Sequence, residues 1–91
     1  MYEVRLRSKR VQRELDGLQR TDRERVLARL RALVDNPTPN GCQKLYDSIY
    51  RIRVGDIRII YMVDDGRKII QVGGIRRRSE KTYRGIEELF G

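Results

Sequence analysis

The chain has 91 residues, one cysteine and no histidine, and its 21 Lys and Arg against 13 Asp and Glu give a formal net charge of +8. That length holds one domain, residues 1–91, with a single small core, and excludes a two-domain enzyme. The surplus charge attracts polyanions, so RNA, DNA or an acidic protein segment are the expected partners. Cys42 has no second thiol to pair with, and no apolar run reaches the length of a signal peptide or membrane span. A cytoplasmic location follows as the expectation. Because the basic residues fall on strands and mixed helices rather than on one strongly apolar amphipath, no membrane partner is expected. The usual zinc ligands are lacking, as are the commonest general base and every Ser-His or Cys-His arrangement. No metal and no small-molecule cofactor is expected.

Residues 2 to 7 alternate, with Tyr2, Val4 and Leu6 on one face and Glu3, Arg5 and Arg7 on the other, which predicts a strand. Ser8 can cap a helix over residues 9 to 19, where Val11, Leu15 and Leu18 make a narrow apolar stripe that Gly17 weakens near its end. Thr21 and Glu24 have capping-box spacing and predict a second helix starting near Asp22. Val26, Leu27, Leu30, Leu33 and Val34 carry its buried face, and Arg23, Arg25, Arg29 and Arg31 read as a solvated one. Asn36-Pro37 stops it, because proline disfavours helical geometry in the residue before it. Residues 35 to 43 are loop by composition. Lys44-Leu45 then leads into a short strand or turn.

Residues 50 to 64 alternate strictly on both sides of Gly55-Asp56 and read as a β-hairpin. A two-residue turn pairs Val54 with Ile57, Arg53 with Arg58, Ile52 with Ile59, Arg51 with Ile60 and Tyr50 with Tyr61. One face is then apolar or aromatic throughout. The other sets Arg53 across from Arg58 with Arg51 one diagonal step away, and like charges so placed destabilise a strand pair. No acidic residue stands beside them on that face of the hairpin, Asp56 being in the turn and Asp64 at the far end, so an anion-binding cluster is favoured over a merely solvated one.

Asp65-Gly66 is a type I′ turn signal, and pairing across it places Tyr61 opposite Ile70, Ile59 opposite Val72 and Arg58 opposite Gly73. Gly73 leaves that spot bare, either as part of a bulge at Gly73-Gly74 or as room for a phosphate or base. Continued alternation puts Arg77 on the Arg53/Arg58 face and Arg76 on the core face, and a bulge exchanges the two. Arg77 is the preferred candidate, with Arg76 held in reserve. Ser79 reads as the cap of a short C-terminal helix carrying Tyr83, Ile86, Leu89 and Phe90.

Over about residues 44 to 84 the sequence resembles the RelE/ParE toxin superfamily, and its RelE branch more closely. The resemblance lies in Lys44-Leu45, in Tyr50-Arg51-Ile52-Arg53-Val54-Gly55-Asp56-Ile57-Arg58-Ile59-Ile60-Tyr61, and in Arg76-Arg77-Arg78 followed by Tyr83-Arg84. It implies an α+β fold: a small, mainly antiparallel sheet with an N-terminal helical pair on one face and a short C-terminal helix. It also implies a toxin of a type II toxin-antitoxin system, a metal-independent endoribonuclease that cuts mRNA in the ribosomal A site and is restrained by an acidic antitoxin. Residue by residue, it carries catalytic roles to Arg51, Arg53, Arg58, Arg76 or Arg77, and Tyr83. Lys44, Arg78 and Arg84 join Arg76 as RNA-binding candidates. Where studied relatives have lysines this chain has Arg51 and Arg53, and arginine is a poor general base. The superfamily also contains gyrase-directed members that share the hairpin, and a non-cleaving RNA-binding module is a further alternative.

Overall fold

The computed structural model describes residues 1–77. Arg78, Arg84 and the expected C-terminal helix with Tyr83 lie outside the described residues. Along the chain run β1 (Glu3–Leu6), α1 (Lys9–Asp16), α2 (Arg20–Leu33), β2 (Gln43–Tyr46), β3 (Ile49–Val54), β4 (Ile57–Asp64) and β5 (Ile69–Arg77). The strands make one sheet in the order β1-β5-β4-β3-β2, with β1 parallel to β5 and the other neighbours antiparallel. This is the expected α+β architecture. Val11, Leu15, Val26, Leu30 and Leu33 of the helices pack against Ile52, Ile57, Ile59, Tyr61, Ile70, Val72 and Ile75 of the sheet. Each such side chain, fully buried, contributes about 1.5–3 kcal/mol.

The helix boundaries differ from expectation for identifiable reasons. Ser8 occupies the N-cap position of α1 in extended geometry but makes no side-chain cap bond. The helix ends at Asp16 rather than residue 19, with Gly17, a poor helix former, at its C-cap and its N–H still donating to the Arg13 carbonyl at 2.9 Å. The Thr21/Glu24 capping box does not form. Gln19 is the N-cap of α2, Thr21 already lies within the helix, and Glu24 instead accepts from Arg20 Nε at 3.1 Å one turn back.

The hairpin has the expected register from Tyr50↔Tyr61 through Val54↔Ile57. Gly55 takes φ +62, a left-handed value that glycine adopts without steric cost. Tyr61 is fully buried, stacks on Tyr50 with ring centroids 5.9 Å apart, and donates its hydroxyl to the Pro37 carbonyl at 2.7 Å. That bond ties the loop after α2 to the middle of the sheet.

The β4–β5 register departs from expectation by three residues. Two come from the loop, which is not a two-residue turn: Asp64 pairs with Ile69, the Asp64 carboxylate accepts the Arg67 N–H at 3.0 Å, and Lys68 takes φ +58. A two-residue shift leaves every side chain on its face. The third comes from a bulge, since Tyr61 faces Val72 while Ile60 faces Gly74, which leaves Gly73 as the extra residue. One inserted residue exchanges the faces of everything after it. Arg58 therefore lies opposite Arg76, not Gly73, and Arg77 lies opposite Ile57.

β1 covers β5 only from Ile69 to Val72, and α1 lies along the remaining edge. There Glu14 accepts the Ile75 N–H at 3.1 Å, and Arg10 donates to the Gly73 carbonyl at 3.2 Å. Side chains thus satisfy main-chain groups that a further strand would otherwise pair.

Candidate functional site

Cross-strand partners share a face, so the pairs Arg53↔Arg58 and Arg58↔Arg76 set three arginines in a row across β3, β4 and β5. The row lies on the face away from the helices. Arg51 sits one step behind it, level with Ile60 and Gly74, and hydrogen-bonds Gln43 on β2. Directly opposed Cα atoms in antiparallel strands are about 4.5–5.5 Å apart, so these arginines spring from neighbouring points on the sheet. Among the described residues neither Arg53 nor Arg58 has an ion-pair or hydrogen-bond partner, and the Arg58 Nε is buried.

Arg76 is the member of the row with an anchor. Its Nε lies 2.8 Å from Glu14 Oε2, as an ion pair rather than an aligned hydrogen bond. Both side chains are about four-fifths buried, at 22% and 20% exposure, so water screens the pair less than a surface one. Since the other Glu14 oxygen holds the Ile75 N–H, one carboxylate grips both the backbone and the side chain at this point of β5. Glu14 was not anticipated. Its only trace in the sequence is a place beside Leu15 on a helix whose position along β5 no local pattern specifies.

The preferred candidate Arg77 does not join the row. The bulge at Gly73 turns it to the helix side, where it lies 3.7 Å from Asp22 of α2 and 3.5 Å from Asp56 of the hairpin turn. Arg77 is a strap across three elements, and the reserve candidate Arg76 takes its place. Lys44 also stands apart: it is exposed and pairs with Tyr50, whose ring faces the core. Tyr83, Arg78 and Arg84 lie outside the described residues.

Four guanidinium groups share one sheet face, two of them without counter-charge among the described residues, an arrangement able to hold an anion with several oxygens. The sequence profile of the ParE toxin of the type II toxin-antitoxin system parDE matches residues 6–82. The chain belongs to the RelE/ParE toxin superfamily. It is a toxin of the type II toxin-antitoxin class. No curated protein sequence matches it. Among solved structures, the toxin resembles the archaeal RelE-RelB complex of Pyrococcus horikoshii OT3, at 29% identity and TM-score 0.79 over 87% of this chain and 97% of that one. The isolated E. coli RelE toxin is 18% identical with TM-score 0.77 over the whole of both chains. The Mycobacterium tuberculosis RelBE2 complex is 21% identical with TM-score 0.73, covering 85% of this chain and 98% of that one. These last two likenesses are of fold.

Proposed function

We propose that this toxin is an endoribonuclease that cuts mRNA in the ribosomal A site without a metal ion. The observation that supports it is the row Arg53, Arg58 and Arg76 with Arg51 behind it, where mutual repulsion is retained on a face with little carboxylate to relieve it. In the cleavage, the ribose 2′-oxygen attacks the adjacent phosphorus in line and loses its proton. The bond to the 5′-oxygen breaks, and that oxygen takes up a proton, leaving a cyclic phosphate and a 5′-hydroxyl.

Charge builds on the nonbridging oxygens and on the leaving oxygen, and fixed guanidinium groups stabilise it without reorganising. Arg58 and Arg76, at the middle and anchored end of the row, are assigned to the nonbridging oxygens. Arg53 and Arg51 orient the strand and steady the leaving oxygen. Arginine does not accept the 2′-proton, so that step falls to Tyr83, which the resemblance implies, or to a group of the ribosome or the RNA. The neighbours that are RelE-RelB complexes support an antitoxin as partner, and the net charge of +8 favours an acidic one.

The match to a ParE profile favours a second reading, in which the same face contacts gyrase and leaves RNA intact. Translating ribosomes incubated with the toxin, followed by mapping of mRNA 5′ ends, separate the two. New ends at the A site that vanish with Arg53→Glu but persist with Arg67→Glu, an exposed residue at the far end of the sheet, support the nuclease. Intact mRNA together with inhibited gyrase overturns it.

A further inference from the structure

At the tip of the hairpin, on the helix side, the structure holds an open cleft of about 470 Å3 whose lining includes Arg25, Ala28, Arg29 and Ala32 of α2 with Arg53 and Gly55. No acidic residue lines it, and among the described residues Arg25, Arg29 and Arg53 make no hydrogen bond or ion pair. Arg25 and Arg29 are one helical turn apart on one face of α2, a like-charge spacing that weakens a helix slightly. Both are exposed, as expected of a solvated helix face, and both line the cleft. Arg25 lies against the hairpin turn, its guanidinium within van der Waals reach, 3.4 Å, of where a Cβ on Gly55 would stand.

The cleft has a backbone donor as well. Since β2 pairs only with residues 49 to 51 of β3, the edge of β3 beyond Arg51 is uncovered. In a two-residue hairpin Val54 and Ile57 exchange both their hydrogen bonds, so the N–H of Arg53 points away from β4, toward that open edge. Three arginines thus line one concavity, with the Arg53 N–H facing the open sheet edge beside it. Arg53 belongs both to this cleft and to the row on the open face, which joins the two around the sheet edge.

We propose that the cleft binds a backbone phosphate of the same RNA strand that lies on the arginine row, one position further along. The inference rests on the endoribonuclease reading and names where the strand leaves the cutting site. A polyanion charged at every nucleotide spans the row and the cleft without apolar help. An acidic peptide needs apolar anchors to offset its ordering cost, and the apolar side chains lining the cleft are small, Ala28, Ala32 and the partly buried Val54. Guanidinium forks match phosphate oxygens in pairs, and the site excludes no base, so the contact is independent of sequence.

The test uses the whole toxin and a variant with Arg25→Gln and Arg29→Gln, both exposed helix positions outside the cutting site, with Arg29→Gln alone as the milder second variant. The probe is a fluorescent single-stranded 2′-O-methyl oligoribonucleotide, which cannot be cut, with binding followed by anisotropy across a salt series. The expected result is roughly tenfold weaker binding in the double variant, with log K against log salt shallower by about 0.7 for the one phosphate lost. The mapped cleavage positions on ribosomes stay the same. Unchanged affinity and slope in a double variant that still cuts mRNA overturn the cleft site and leave the nuclease standing. A loss of affinity for a polyglutamate peptide without loss for the oligonucleotide also overturns it, in favour of an acidic segment. If the unsubstituted toxin neither binds the oligonucleotide nor cuts mRNA, the cleft site and the nuclease reading fall together.

Discussion

Arg58 is the residue on which the site turns, because it stands between Arg53 and Arg76 and has no counter-charge among the described residues. Replacing it with alanine relieves repulsion on both sides, so Arg58→Ala is expected to abolish toxicity while the thermal midpoint stays level or rises. A clear fall in the midpoint would make Arg58 a structural residue. Glu14 acts through its neighbour. Glu14→Gln keeps an oxygen for the Ile75 N–H but gives up the charge that holds Arg76. Its expected signature is a split, with kcat down about tenfold and KM unchanged or lower since the face gains positive charge. Equal loss in Glu14→Ala and none in Glu14→Gln would confine Glu14 to covering the edge of β5. Tyr61→Phe strands the Pro37 carbonyl and is expected to lower stability by about 1–2 kcal/mol. Burial pushes the Tyr61 hydroxyl pKa up, so it stays protonated in the fold where the unfolded chain ionises above about pH 10. Its contribution is therefore full below that pH and declines as pH rises further. Denaturation of both proteins across this range should show the deficit of the Phe variant narrowing above pH 10.

At the level of elements, the bulge at Gly73 decides which arginine serves the row. Deleting Gly73 restores plain alternation, turning Arg77 to the open face and Ile75 out of the core. That deletion is expected to remove toxicity and to lower the thermal midpoint strongly, with the Asp22 and Asp56 contacts of Arg77 lost as well. A deletion variant as stable as the parent would refute the register. The sequence foretold the Gly55-Asp56 hairpin pair for pair because its turn and its alternation are both local. It placed Arg51, Arg53 and Arg58 on one face for the same reason. It mistook the next turn because Asp65-Gly66 looks complete, whereas the Asp64 carboxylate and the left-handed Lys68 extend the loop by two residues. The choice between Arg76 and Arg77 depended on one unpaired glycine, and the alternation of side chains around Gly73-Gly74 does not say whether it exists. Glu14 and the Arg25/Arg29 cleft were illegible for another reason: both arise where elements distant in sequence meet.

For the molecule as a whole, the charge has two faces and the partner must meet both. The open face carries the arginine row, while the opposite side offers an apolar groove of about 380 Å3 between β1 and the helices, lined by Val4, Leu6, Leu15, Leu27, Leu30 and Val34 among others. A short acidic protein encoded beside this gene is expected to bind the toxin and restore growth on co-expression. Its complex should survive moderate salt, because apolar burial rather than screened charge contributes most of the affinity. Dissociation of the complex by moderate salt would show that charge alone holds the pair.

The parallel pairing of β1 with β5 also orders events in time. Glu3 waits for Ile69, so the first strand made has no partner until nearly all of the described chain exists. Pairings across such long separations form late and slowly, because loop-closure entropy must be met before the contact rewards it. The strand that supplies this partner also brings Arg76, which makes the finished sheet and the finished arginine row a single event. A chain cut short before β5, by premature termination or by proteolysis in the loop at Arg67, has an orphaned first strand and an incomplete row. If the row is the cutting site, such a fragment is expected to be harmless on expression, which growth of cells producing residues 1–66 alone would check.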